Sequence, residues 1–192
     1  MIEAYPPKST RALLNLGFLN RRSLFWACRS DRNFGDWLGP LLFQKIANTG
    51  PIYCTARQKR RGTVYFTVGS ILHHITRDNV VEVWGSGIIA AERQFRKPKA
   101  IHAVRAPLSR AKCRQLGYEC PDVFGDPAIL MPEYLAAPRT GEFALGIVPH
   151  FVDFETARAK FGGSPEISVI DVLQPPEDVI EAICRCDAIA SS

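Results

Sequence analysis

No stretch of this 192-residue chain approaches the roughly 20 consecutive apolar residues that a membrane-spanning helix needs. A signal-peptide core is missing too, because Pro6, Pro7 and several arginines interrupt the first 30 residues. The protein is expected to be neither exported nor membrane-spanning, hence cytoplasmic. Among the six cysteines (Cys28, Cys54, Cys113, Cys120, Cys184 and Cys186) no C-x-x-C pair occurs, and none stands at zinc-finger spacing from a histidine. They read as reduced thiols, several of them buried, and no metal site is expected. There is no H-E-x-x-H, no G-x-S-x-G and no kinase signature, which removes the protease, esterase and kinase classes. A composition that is 46% hydrophobic and 22% charged, with 14 glycines and 14 prolines, excludes a collagen-like repeat, a coiled coil and a disordered tail.

Charge is present in modest excess and unevenly placed. Lys+Arg 24 against Asp+Glu 19 give a net formal charge of +5. Residues 1–120 carry 20 basic and 7 acidic side chains, a balance of +13, whereas residues 121–192 carry 4 and 12, a balance of −8. A basic stretch of this kind attracts anions: phosphate, carboxylate, nucleic acid or an acidic membrane surface. The runs Arg57, Lys59, Arg60, Arg61 and Arg96, Lys97, Lys99 read equally well as solvated loops. Nucleic acid is not the expected partner, since no helix-turn-helix, RNP or zinc-finger signature occurs and no aromatics interleave with the basic runs.

Hydrophobic patterning alternates strand and helix. Apolar runs at 23–28, 63–68, 80–84 and 100–104 predict strands, and a further short one spans 122–124. Helical spacing from Asp36 to Ala47 and the segment 107–117, with Pro at its start and Gly at its end, predict helices between them. Short apolar strands separated by helices predict a parallel α/β sheet, with ligands held outside the strands' carboxyl ends. The composition shifts after Pro132. Residues 133–142 read as a linker, and the alternation restarts with strands at 143–148 and 167–172, a helix from Pro176, and a last strand beginning at 187–192. The expected organisation is a complete Rossmann-like domain over 1–132, a linker over 133–142, and an incomplete second Rossmann-like domain over 143–192.

The predicted strand ends carry the candidate chemistry. Asn33-Phe34-Gly35-Asp36 suits a turn with Asp36 as helix N-cap, whose free amides could bind an anionic or hydroxyl-rich ligand; a plain turn and cap explains it as well. Gly85-Ser86-Gly87 could bring backbone amides close to a phosphate. It is no dinucleotide fingerprint, because the third glycine and the acidic ribose ligand are missing, and no Gly-Lys-Ser/Thr supports ATP binding. Arg105, with Ser109 and Arg110 following, could hold a carboxylate or phosphate bidentately, or could cap the sheet through a salt bridge to Asp126. His73 and His74 follow Gly69-Ser70 and could face the cleft, although a histidine in an apolar context is commonly a hydrogen-bonded structural residue. His150, after the first strand of the second domain, is a further cleft candidate.

Taken in order, five motifs carry a resemblance: Asn33-Phe34-Gly35-Asp36, Val68-Gly69-Ser70-Ile71-Leu72-His73, Val83-Trp84-Gly85-Ser86-Gly87, Val104-Arg105-Ala106-Pro107-Leu108-Ser109 and Gly125-Asp126-Pro127-Ala128. Together they resemble the polysaccharide pyruvyl transferase family, most closely its bacterial exopolysaccharide ketal-forming branch, from about Phe25 to Ser192. Ala106 departs from the glycine usual after that arginine. The resemblance implies a GT-B-like pair of Rossmann-like halves, phosphoenolpyruvate as donor substrate with no cofactor, and a sugar of a lipid-linked oligosaccharide repeat as acceptor. It also implies peripheral association with the inner face of the membrane. The substrate-binding residues implied are Asn33, Gly35, Asp36, Gly69, Ser70, His73, Gly85, Ser86, Gly87, Arg105, Ser109 and Asp126.

In the implied reaction one sugar hydroxyl adds to C2 of the enol while a proton reaches C3, which calls for a general acid. The donor's carboxylate and phosphate call for cationic clamps. Loss of phosphate and closure by a second hydroxyl complete a cyclic ketal. In the family the segment matching Ala190-Ser191-Ser192 runs on into a Ser-x-Leu-His-Gly motif whose histidine is the expected acid. The chain as given stops before it, so the expectation is a truncated, inactive or nearly inactive transferase. The alternative expectation is a non-catalytic anion- or glycan-binding module built on the same fold.

Overall fold

A computed structural model of the chain describes residues 23–25, 33–56, 62–135 and 137–192. They form an α/β protein with two parallel sheets and five α-helices, consistent with a Rossmann-like fold. Two compact units emerge, one built mainly from Leu38–Leu130 with the first strand, the other from Met131–Ser192 with residues 33–37. No helix among the described residues is long and apolar enough to cross a membrane.

The first unit is a five-stranded sheet of β1 (Ser23–Phe25), β2 (Ile52–Tyr53), β3 (Thr63–Phe66), β4 (Val80–Trp84) and β5 (Ala100–Ala103), in the order β2-β1-β3-β4-β5. All four pairings are parallel. The order reverses between β1 and β3, a switch point of the kind at which α/β sheets bind ligands. Period-two alternation sends Val64 and Phe66, and Val81 and Val83, into one core with Phe25, Leu72, Phe95, Val104, Cys113 and Cys120. Phe25 and Phe66 stack at 4.9 Å within it. On the opposite face lies helix α1 (Phe34–Ala47), with Leu38, Leu41 and Leu42 buried and Phe43 5.7 Å from Tyr65. Gly39 permits the close approach of α1, since a Cβ there would sit 3.3 Å from Thr67 Oγ1. Helix α2 (Pro107–Gln115) opens on proline and is followed by Gly117 at φ +76°, as its sequence predicts.

Several expectations need correction. Residues 122–124 are no strand: Phe124 makes a single parallel bridge to Val104. The connections between β3 and β4 and between β4 and β5 contain no α-helix. The first holds only a 3-10 turn, Leu72–His74, and the second is irregular, so the strict strand–helix alternation fails there. Strand 63–68 ends at Phe66, and residues 26–28 of the run at 23–28 lie outside the described residues. Helix α1 begins two residues before Asp36, so Asp36 lies in its first turn and is not its cap. The two-residue β2 escaped notice because it is too short for periodicity to register.

The second unit is a three-stranded parallel sheet, β7-β6-β8, formed by β6 (Phe143–Val148), β7 (Ile167–Val169) and β8 (Cys186–Ser191). Helix α3 (Met131–Tyr134) occupies the start of the stretch expected to be a linker. Helices α4 (Phe154–Phe161) and α5 (Pro176–Cys184) connect the strands, and α4 had no clear signal in the sequence. The core joins Ile170, Val179 and Cys186, with Phe34, Phe143 and Ile183 packed against it.

Candidate anion-binding site

The carboxyl ends of β3, β4 and β5, with the start of α2 and the turn at Asp126, bring eight of the sequence-selected residues into one bonded cluster. A register shift between Val83 and Trp84 ends the β4–β5 ladder, and the chain turns through Gly85 at φ +84°. A Cβ on Gly85 would overlap the Pro127 ring and the Gly125 carbonyl, so the turn accepts only glycine without rearrangement. Ser86 is fully buried and donates its hydroxyl to the Thr67 carbonyl at 2.6 Å, fastening this turn to the end of β3. Gly87 N donates to Gly69 O, Leu72 N to Gly87 O and Arg105 N to Ser86 O, at 3.0, 3.0 and 3.2 Å. The Gly69-Ser70 and Gly85-Ser86-Gly87 turns are thus laced together by backbone bonds. The Ile88 amide donates to Ser109 Oγ at 3.3 Å, tying in the first turn of α2.

Arg105 crosses the top of this platform. Its Nη1 donates to Ser70 Oγ at 3.0 Å, and its Nε pairs with Asp126 Oδ2 at 3.2 Å. Of the two readings of Arg105, the salt bridge is the one this geometry realises. The salt bridge to Asp126 exists, and it takes only one edge of the guanidinium. Nη2 has no protein partner among the described residues, and the side chain is half-exposed. Asp126 is itself fixed, since Oδ1 accepts the Ala128 amide at 3.0 Å at the head of the Pro127–Leu130 3-10 turn. Gly87 leaves room for the arginine, because a Cβ there would stand 3.1 Å from Arg105 Cβ. The N-terminus of α2, immediately after Arg105, has Ala106 as its N-cap and no side chain hydrogen-bonded to its amides. The departure from glycine at position 106 is accommodated by an extended backbone, φ −156° and ψ 161°.

His73 lies in the 3-10 turn that follows Ser70, its ring 4.0 Å from that of His74. Burial lowers the His73 pKa, and the nearby Arg93 charge lowers it further. His74 is lowered by burial, then by His73 and Arg93, and packs on Phe25 at 4.9 Å. Both imidazoles are held toward the neutral form. No hydrogen bond or ion pair among the described residues connects the His73 ring to Arg105, Ser109 or Asp126.

The Asn33-Phe34-Gly35-Asp36 motif belongs to the second unit and makes its own bonds. Asn33 is the cap: its Oδ1 accepts the Gly35 amide at 2.9 Å, and its carbonyl accepts Trp37 N at 3.2 Å. The Phe34 amide is taken by the Val172 carbonyl at 2.8 Å. Two of the first amides of α1 therefore already have protein partners, which weakens the ligand-binding reading of this helix start. His150 caps the 3-10 turn Phe151–Asp153, with Nδ1 accepting from Val152 N at 3.5 Å.

One cluster went unread in the sequence. On the face of β4–β5 away from the core, Trp84 stacks on His102 at 4.2 Å, His102 Nε2 meets Glu82 Oε2 at 3.3 Å, and Lys99 Nζ stands 3.6 Å from Glu82 Oε1. Only the cross-strand register brings these residues together. The alternation of Val80, Glu82 and Trp84 on one side of β4 was the available signal. Among the described residues no three His, Cys, Asp or Glu side chains gather to hold a metal ion. Comparison with protein-family models, with curated proteins and with solved structures gives no match.

Proposed function

We propose that the first unit binds a small organic anion carrying both phosphate and carboxylate, and that this anion is phosphoenolpyruvate, the donor of a polysaccharide pyruvyl transferase-type reaction. The observation that carries the reading is the Arg105 guanidinium, aligned by Ser70 and Asp126 over the laced glycine turns, with Nη2 unpaired among the described residues. An arginine fork aligned in advance binds a planar or tetrahedral oxyanion at little further ordering cost. The basic balance of residues 1–120 favours the same sign of ligand.

In this reading the two parallel-sheet units are the Rossmann-like halves of a GT-B-like transferase. The acceptor is a sugar on a lipid-linked oligosaccharide, which would draw the protein to the inner face of the membrane. Arg105 and Ser109 hold the donor, and the Gly85-Ser86-Gly87 turn shapes its seat. A second reading, an anion- or glycan-binding module without turnover, is favoured by one specific observation. Asp126, the carboxylate beside Arg105, is engaged by the guanidinium and by the Ala128 amide, an arrangement suited to holding the arginine in place.

Calorimetric titration tests the binding claim. Phosphoenolpyruvate should bind more tightly than inorganic phosphate or pyruvate alone. Arg105→Ala should weaken it about 10- to 100-fold, the size expected for losing charge-assisted hydrogen bonds. Unchanged binding in Arg105→Ala would remove Arg105 from the site. Phosphate release on adding an acceptor oligosaccharide separates transfer from binding alone.

A further inference from the structure

Strand β5 lies at an edge of the first sheet, and its outer side is left largely unused. The protein pairs with that side only at its upper end. Val104 N donates to Val123 O and Gly125 N to Val104 O, both at 3.1 Å, around the parallel bridge to Phe124. Below that bridge no backbone hydrogen bond among the described residues joins Ala100–Ala103 to residues 118–122. The two segments part there and leave an open groove of about 550 Å³, with Ala100 and Ile101 on one wall and residues 118–121 on the other. The second wall is fixed by its own bonds. Gly117 reverses the chain in a left-handed conformation, and Tyr118 N donates back to Cys113 O at 2.9 Å. The Tyr118 hydroxyl donates to the Phe95 carbonyl at 2.6 Å, with its ring edge-on to Phe95 at 5.5 Å. No residue of the groove belongs to the Arg105 cluster.

We infer that this groove is a docking site for an extended, acidic segment of a partner protein, which adds to the sheet as a strand beside β5. A strand edge presents N–H and C=O groups in alternation, and another extended backbone matches that repeat of donors and acceptors. The backbone bonds supply affinity without regard to sequence, and the groove's side chains select what enters. Charge is the main selector. Lys97 and Lys99 line the groove against a single acid, Glu119. Lys99 stands 3.6 Å from Glu82 Oε1 but keeps 63% of its side chain exposed, a loose surface pair that leaves its charge available to a ligand. An incoming carboxylate therefore meets two ammonium groups at the start of β5, and an incoming cation meets their repulsion. Ile101, Tyr118 and Pro121 offer apolar surface to those side chains of the added strand that point into the groove.

The test titrates the full chain with an acetylated, amidated hexapeptide that alternates valine and glutamate, and reads amide exchange residue by residue by NMR. The expected result is protection of about tenfold or more, confined to those amides of Ala100–Ala103 that exchange fast in the free chain. The same peptide N-methylated at alternate residues cannot complete a ladder and should give no protection. The valine–lysine counterpart should bind about tenfold more weakly than the glutamate peptide. Lys97→Glu with Lys99→Glu should reverse that preference. Strand addition is overturned if β5 is not protected at millimolar peptide, if protection falls on β8 instead, or if the N-methylated peptide binds equally well. Equal binding of the glutamate and lysine peptides overturns the acidic partner. A chain that sediments as a dimer with Ala100–Ala103 already protected gives the groove to a second copy, which overturns the proposal as well. The wild-type titration decides the matter even where the double lysine variant fails to fold.

Discussion

Gly85 and Gly117 adopt nearly the same left-handed backbone, φ +84° and +76°, but in different surroundings. A Cβ on Gly117 meets nothing within 4 Å, whereas one on Gly85 overlaps Pro127 and the Gly125 carbonyl. Alanine at either position carries the conformational penalty of about 1–2 kcal/mol. At Gly85 the steric displacement of the Asp126 arm adds to it. Urea denaturation should therefore place Gly85→Ala well below Gly117→Ala in midpoint, and Gly85→Ala alone should also weaken anion binding. Equal midpoints would mean that the Pro127 ring yields freely. The same scale explains why Arg105 could be read two ways from sequence. Arginine has five donors, and the contacts to Asp126 and Ser70 use only part of them, so the salt bridge and the proposed anion binding draw on different parts of one side chain.

At the scale of the element, the 3-10 turn Leu72–His74 gives the first unit a pH response. A histidine whose pKa is lowered by folding binds its proton less well in the native state than in the unfolded chain. Below the ordinary value of 6.5 the unfolded chain therefore carries more protons, and stability falls as pH falls. The contribution of His73 and His74 is complete above about pH 6.5 and is lost as pH drops through their lower native values. Thermal melts at pH 7.5 and 5.5 should show a lower Tm at the acidic value, and His73→Gln with His74→Gln should shrink that difference. An unchanged difference in the double variant would assign the acid sensitivity elsewhere.

Legibility in the sequence also divides by element. Strand β4 and helix α2 were readable because Val80, Val81, Val83 and Trp84 make a short β-branched and aromatic run, and because Pro107 and Gly117 bracket a helical run. Strand β6 was readable as an unbroken apolar run. The start of α1 was misplaced by two residues because Asn33 and Asp36 both make good caps, and only the bond from Gly35 N to Asn33 Oδ1 chooses between them. Phe124 is apolar and flanked like a strand, yet it finds one bridging partner and no ladder. Four of the five motifs supply residues of the bonded cluster, and the first lies in the second unit. Which of them would bond together was not legible, because the lacing of Gly69, Gly87 and Ser86 depends on strand register.

For the molecule as a whole, charge is the property with the longest reach. The balance of +13 over residues 1–120 raises the local concentration of a multiply charged anion, and mobile ions screen that attraction. Phosphoenolpyruvate affinity should fall several-fold as the salt is raised from about 50 mM to about 500 mM, where the Debye length shrinks from roughly 14 Å to roughly 4 Å. Pyruvate, with its single charge, should lose less. Equal losses for the two ligands would place the binding energy in short-range contacts alone.

Trp84 offers a way to watch that titration without a label. Its indole is 48% exposed, lies against the His102 ring at 4.2 Å, and immediately precedes the Gly85 turn on which Arg105 rests. Indole emission responds steeply to a stacked imidazole and to the polarity of its open face. Phosphoenolpyruvate bound at Arg105 is expected to change Trp84 emission through these turns, and a titration that leaves the emission unchanged would show that the turns do not respond. The candidate site thus has an indole built into the strand that shapes it, a reporter that the protein carries in its own sequence.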